Sequence, residues 1–223
     1  MLPQVIIYNA VSLDSRVNGF PADIAKYYEL AAHWKEDATL VGSETMLKSG
    51  NEIPPESEDD LKPPEKKAGD KRALLAVVDS RGRLRGWHYW RKLPYWRDMV
   101  ALCSRKTPKE YLAYLEKRHI DYVIAGDEHV DLKAALEELN KRYNVKTVRV
   151  DSGGTLNGVL LRAGLVNEVS LLVHPSLVGG TKQQTFFGAD GQSPEADAIK
   201  LKLTHMEKLK GDMIWLRYAV ESK

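Results

Sequence analysis

The chain has 223 residues, 43% of them apolar, enough for one well-buried domain spanning 1–223, and no repeat or low-complexity array divides it. Lysine plus arginine outnumber aspartate plus glutamate by only 33 to 31, which argues against nucleic acid or an anionic membrane as partner and leaves small substrates open. The lone Cys103 excludes an intramolecular disulfide, no signal peptide or long apolar span is visible, and the histidines lack paired zinc spacing. The expectation is a soluble cytoplasmic protein without a metal.

Gln4 to Val11 is apolar and rich in β-branched residues, which predicts a strand buried on both faces. Pro21-Ala22-Asp23 opens a helix reaching to about Lys35, with Ile24, Tyr27, Tyr28, Ala31 and Trp34 at helical spacing. Ala38 to Val41 is the next strand, and Gly42-Ser43-Glu44-Thr45 turns it into a second helix. From Ser49 to Arg72 prolines and dense charge without an aromatic residue predict an exposed, mobile loop. Strands follow at Ala73 to Val78, Met99 to Cys103 and Tyr122 to Ala125, with helices at Lys109 to Arg118 and Leu132 to Tyr143. Ile199 to Leu209 and Met213 to Val220, separated by Lys210-Gly211-Asp212, predict an antiparallel hairpin at a sheet edge. The alternation implies an α/β fold with a mainly parallel sheet flanked by helices.

The segment Lys146 to Gly180 reads as a buried strand, a double-glycine turn, a short apolar helix and a second strand. Gly153 and Gly154 allow backbone to approach a ligand, and Thr155 is placed to cap a helix holding Leu156, Val159, Leu160 and Leu161. The amides of that helix start suit a phosphate or pyrophosphate; the plainer reading is a strand-to-helix turn that needs glycine for its dihedrals. Gly42 to Thr45 and Ser104 to Thr107 also follow strands, and ligands of open α/β sheets gather at such carboxyl ends, so the three loops are expected to converge on one crevice. Ser104, Arg105 and Lys106 suit a monophosphate such as the 2′-phosphate of NADP, or else form a solvated basic turn.

No Gly-x-Gly-x-x-Gly follows the first strand, which disfavours a standard dinucleotide-binding domain. The spacing resembles the dihydrofolate-reductase-like fold, and within it the riboflavin-biosynthesis pyrimidine reductases. The motifs are Ser12-Leu13-Asp14, Asp37 to Thr45 (DATLVGSET), Val77 to Leu84 (VVDSRGRL), Gly153 to Glu168 (GGTLNGVLLRAGLVNE) and Pro175 to Gly180 (PSLVGG). The resemblance covers nearly the whole chain. It implies NADPH contacts at Gly42, Thr45, Ser104, Gly153, Gly154, Thr155 and Leu156, to which the cations Arg105 and Lys106 are added as candidate phosphate contacts, with Asp14 and Asp79 at the substrate end, suited to orienting hydroxyls or assisting proton transfer. It further implies hydride transfer to the ribosyl carbon of a diaminopyrimidine ribosylamine phosphate, and a homodimer in which the helix from Leu156 and the strand Val169 to Val173 face a second copy. For Asp14 and Asp79 taken singly, capping a strand-end turn is the alternative role.

The chain departs from the family pattern where Ser15-Arg16 follows Ser-Leu-Asp in place of Gly-Lys, and where Asp151-Ser152 precedes the glycines in place of a glutamate and its neighbour. Lys48 to Asn51 stands where Asp-Pro is usual, and Asn167 where aspartate is usual. Arg16 and Asp151 are therefore candidate substrate ligands of altered reach, and a reductase of another small carbonyl, imine or pterin-like substrate is the alternative function. Residues 81–97, RGRLRGWHYWRKLPYWR, interleave basic and aromatic side chains without an acid. They predict a flap or substrate-phosphate wall led by Arg81, Arg83 and Arg85, or aromatic packing against the sheet; a nucleotide- or RNA-binding module is the reading from another class. His88, His129 and His174 are read as structural and Cys103 as a small core residue.

Overall fold

The computed structural model describes residues 1–48, 52–65, 67, 69–180, 184–188 and 198–221. In chain order its elements are β1 (Gln4–Ser12), α1 (Ile24–Ala31), β2 (Ala38–Gly42), α2 (Ser43–Leu47), β3 (Ala73–Val78), α3 (Trp87–Lys92), β4 (Trp96–Cys103), α4 (Lys109–Lys117), β5 (Asp121–Ile124), α5 (Leu132–Tyr143), β6 (Thr147–Val150), α6 (Gly154–Arg162), β7 (Glu168–His174), β8 (Leu201–Lys208) and β9 (Ile214–Val220). They fall into two compact units, Met1–Pro3 with Glu36–Lys146, and Gln4–Lys35 with Thr147–Lys223.

In the unit built on Glu36–Lys146 the strands run in parallel in the order β5-β4-β3-β2. Val77, Met99 and Ala101 of this ladder pack with Trp87, Tyr111 and Leu115 in one apolar cluster. Cys103 belongs to that core, and burial pushes its thiol up to about 12, as expected of a small apolar filler. α5 is closed at both ends by local chemistry: the Asp131 carboxylate accepts from the Ala134 amide, and Asn144 takes a left-handed conformation at φ 54.

In the other unit β1 lies parallel to β6 on one side and β7 on the other, while β7-β9 and β9-β8 are antiparallel. Val5, Ile6, Ile7 and Tyr8 of β1 are all fully buried, which is why this strand reads as a continuous apolar run. Tyr8 stacks on Tyr27 of α1 with ring centroids 4.4 Å apart, and each hydroxyl donates to the other's carbonyl at 3.1 Å. The β8–β9 hairpin turns at Lys210–Asp212, where Gly211 takes φ 76.

The mainly parallel ladders and the antiparallel C-terminal hairpin agree with the α/β fold expected. Two boundaries move by three residues or more. α1 ends at Ala31, four residues before Lys35. β4 begins at Trp96, inside the expected 81–97 loop, because Trp96 pairs with Ala73 across a bulge in the β3–β4 ladder.

Candidate active site

The double-glycine turn is built by the unit that holds β1, β6 and β7. Gly153 is the N-cap of α6, at φ −82 and ψ 177, and donates no side chain to the helix start. Thr155 is therefore the second helical residue and not the cap: glycine already supplies the extended cap conformation, and the helix begins two residues earlier than the sequence suggested. Thr155 is exposed and Leu156 half-buried, so both lie within reach of a ligand at the helix start.

The two glycines differ. A Cβ on Gly154 would fall 2.2 Å from the Thr185 carbonyl oxygen and 2.7 Å from the Gly188 nitrogen, so this position is reserved for the chain's own backbone. A Cβ on Gly153 would meet nothing nearer than the Gln184 side chain at 3.8 Å. Residues 184–188 thus form a strap against α6, and the Gly188 amide donates to the Gly154 carbonyl at 3.0 Å.

The strap's other side meets the loop after β1. Val17 donates to the Gln184 carbonyl at 3.0 Å and Phe186 to the Ser15 carbonyl at 3.2 Å. In that loop Asp14 accepts from the Ser12 hydroxyl at 2.6 Å and from the Gly179 and Val178 amides at 2.7 and 3.1 Å. The Ser12 bond, then the two amides, hold its carboxyl well below the usual range, so Asp14 is an ionised acceptor rather than a proton donor. Arg16 donates to the Gly180 carbonyl at 2.7 Å and lies 3.6 Å from Asp14.

Asp151, at the end of β6, pairs at 3.2 Å with Arg149, whose side chain is only 4% exposed. Burial, then the charge of Asp151, pushes the Tyr27 phenol well up. Asp151 is turned toward this buried cation and phenol while keeping a half-exposed face.

The remaining predicted residues lie in the other unit. Gly42 caps the five-residue α2 without a side-chain bond, and Thr45 is exposed on it. Ser104 is fully buried: its hydroxyl donates to the Glu128 carbonyl at 3.2 Å and its amide to the Thr107 hydroxyl at 3.0 Å. The loop thus closes on its own backbone. Arg105 pairs with Asp127 and Lys106 with Glu128 at 3.3 Å, all four side chains well exposed.

Asp79 is 1% exposed and accepts from the Leu84 amide at 2.8 Å. It holds the 79–84 turn, the capping role weighed for it, while its other carboxylate oxygen has no hydrogen-bond partner among the described residues. Beside it, burial and then the Asp79 charge raise the Tyr111 phenol, which accepts from the Trp87 indole at 3.2 Å.

Residues 81–97 do not form an open basic aromatic wall. Trp87 and Trp90 are buried, Arg85 stacks on Tyr111 and Tyr114 at 4.8 and 4.7 Å, and Arg83 pairs with Glu44 at 2.6 Å. Arg81, Arg83 and Arg85 all stay exposed, while burial of Trp87 and Trp90 removes much of the stacking surface a nucleic acid needs.

Of the charged 49–72 loop, residues 49–51, 66 and 68 lie outside the described residues, including most of the Lys48 to Asn51 departure. The described part is mostly exposed, yet it is pinned. Glu56 takes both ends of Arg118 at 2.7 and 2.5 Å, His88 Nε2 bonds the Pro54 carbonyl at 2.9 Å, and buried Asp60 pairs with Lys92 at 2.6 Å. Its charges serve as anchors, which composition alone does not distinguish from solvated ones.

Residues 3–215 match the RibD C-terminal domain family. The chain belongs to that family. It is similar along its length to the 2,5-diamino-6-ribosylamino-4(3H)-pyrimidinone 5′-phosphate reductase of Methanothermobacter thermautotrophicus, 31% identical over 230 residues that cover 99% of this chain and 100% of the relative. A pyrimidine reductase-like protein of Corynebacterium diphtheriae shares the fold at TM-score 0.76 and 16% identity, over 99% of this chain and 93% of that one. Dihydrofolate reductase of Enterococcus faecalis, solved with NADP(H), shares it at TM-score 0.51 and 9% identity, over 98% and 97%. The dihydrofolate-reductase-like fold and the family expected from the motifs are both correct.

Among the described residues no cluster of three or more histidine, cysteine, aspartate or glutamate side chains is placed to hold a metal, and no helix is long and apolar enough to cross a membrane. Sequence reasoning missed the Arg149–Asp151 pair, the strap 184–188, and the buried amides of Asn9 and Asn157. The available signal was a polar residue at an inward position: Arg149 in the apolar strand TVRV, and Asn157 on the buried face of α6.

Proposed function

We propose that this chain is an NADPH-dependent reductase of the ribosylaminopyrimidine phosphate intermediate of riboflavin biosynthesis, acting in the cytoplasm as one reductase domain and as a homodimer. The observation that carries the reading is the end-to-end similarity to the Methanothermobacter enzyme at 31% identity. The helix start supports the cofactor: α6 has no side-chain cap, and the space beside Gly153 is open to a phosphate group. Gly153, Thr155 and Leu156 are the proposed contacts in that unit. Gly42 and Thr45 are proposed in the other, with Arg105 and Lys106 exchanging their carboxylates for phosphate oxygens. Ser104 and Gly154 support their loops. Exposed Leu201, Leu203 and Met206 on β8 favour a second copy, which sedimentation would detect.

NADPH, when bound, supplies the hydride. The ribosyl ring opens to an imine as a proton passes to the ring oxygen; hydride then adds at the imine carbon and a solvent proton at nitrogen, consuming one proton overall. Ionised Asp14, fixed by its three donors, orients substrate hydroxyls as an acceptor. Arg16 neutralises charge beside it, and Arg81 and Arg83 are the proposed phosphate ligands of the other unit. Asp151 accepts further hydroxyls.

Following NADPH absorbance with the ribosylamino substrate, with mass analysis of the ribityl product, tests this reading. Saturable NADPH binding without turnover of that substrate would instead establish a reductase of another carbonyl, imine or pterin-like compound. That second reading draws on Asp151 facing Arg149 and Tyr27, which alters the substrate end. Absence of NADPH binding would defeat both.

A further inference from the structure

Asn157 takes no part in the roles above, yet it is fully buried near the start of α6. Its amide nitrogen donates to Asn9 Oδ1 at 2.8 Å, to the Phe186 carbonyl at 2.8 Å and, more weakly, to the Ser152 carbonyl at 3.3 Å. Asn9 donates to that same Ser152 carbonyl at 2.9 Å. Three acceptors surround the nitrogen, so turning the amide over would set oxygen against oxygen. Its own oxygen has no partner among the described residues, a cost that an apolar residue at this position would avoid.

What the donors hold explains why that cost is tolerated. Ser152 precedes the glycine turn, and Phe186 is the middle of the strap. Between Val17–Gln184, Phe186–Ser15 and Gly188–Gly154, the strap is tied by backbone to the Asp14–Arg16 loop on one side and to the helix start on the other. Asn157 adds the only side-chain amide bridging α6 to this strap among the described residues. A buried, well-connected network of this kind is stiff and has two discrete states, made or broken.

We propose that Asn157 is a positioning residue. Its amide latches the 184–188 strap, so that the glycine turn and the Asp14–Arg16 loop are ordered together and cofactor at one strengthens binding of substrate at the other. This rests on the reductase reading.

The test compares wild type, Asn157→Asp and Gly188→Ala as full chains. Asn157→Asp keeps shape and removes the donors. A Cβ on Gly188 would lie 3.3 Å from the Gly154 carbonyl carbon, displacing the strap slightly without touching the buried amides, and serves if the first variant fails to fold. Hydrogen exchange at Val17, Phe186 and Gly188 should accelerate together in both variants. Wild type should bind NADPH about tenfold more tightly in the presence of the ribityl product, and the variants should lose most of that enhancement. Substrate KM at saturating NADPH should rise about tenfold with kcat within about threefold. Faster exchange with the enhancement intact, or no enhancement in wild type, would overturn the latch and leave the strap as scaffold. A wild type that binds no NADPH would overturn the reductase reading itself, and the latch with it.

Discussion

Two loops follow parallel strands with similar polar chemistry, and they end differently. After β4, Ser104 bonds the Glu128 carbonyl, Thr107 bonds the Ser80 carbonyl at 2.8 Å, and both cations of Arg105-Lys106 face carboxylates. After β6, Gly153 leaves the start of α6 without a side-chain cap. On the proposed reading, residue type does not decide which loop receives an anion. The decisive factor is how many of its polar groups are already satisfied within the chain.

The largest expected effects separate the adjacent glycines. Gly154→Ala drives a Cβ into backbone that cannot yield, and should destabilise the fold by about 3 kcal/mol in denaturant titration. Gly153→Ala should leave the melting temperature almost unchanged, while Gly153→Val should weaken NADPH at least about tenfold by obstructing the helix start. Equal melting temperatures for the two alanine variants would erase the distinction.

Next in size is the anchor of the charged segment. Glu56→Ala leaves Arg118 stacked on Tyr114 at 3.7 Å but without its carboxylate, and should cost about 1–3 kcal/mol while kcat stays near wild type. A kcat that falls along with stability would place this segment within the catalytic machinery.

Asp14 gives a pH dependence. Its folded pKa is depressed, so its contribution to stability is present above the unfolded value near 4 and is lost as pH falls through the folded value. The melting-temperature gap between wild type and Asp14→Asn should close on going from about pH 5 to about pH 2. A constant gap would mean that Asp14 does not hold the 178–179 amides in solution.

The smallest effects belong to the β4 loop. Arg105→Ala and Lys106→Ala should each weaken NADPH by about threefold, mainly at low salt, because exposed paired cations are screened. A change near a hundredfold would make this loop an anion site equal to the one proposed at α6. Cys103, in the strand just before it, should react with thiol reagents only as fast as the protein unfolds.

The parallel strands, the hairpin and the family were legible because each depends on local pattern: β-branched runs, Lys210-Gly211-Asp212, and motifs that keep their order. The partners of polar groups were not. Ser104 and Asp79 read as ligands because serine and aspartate at strand ends often are, while the partners they take within the chain, Glu128 and Leu84, are set by tertiary structure. Arg85 and Trp87 looked like a binding wall for the same reason. Conversely, the role of Asn157 is not legible locally, since its partners Asn9 and Phe186 lie far away in sequence.

The strap offers a lesson about divergence. Its ties to Ser15, Val17 and Gly154 run through main-chain atoms, which every residue except proline can provide. Side chains at 184–187 therefore take no part in these ties, and replacing one leaves the ties available. Side-chain mutagenesis would pass over these ties unless proline were among the replacements.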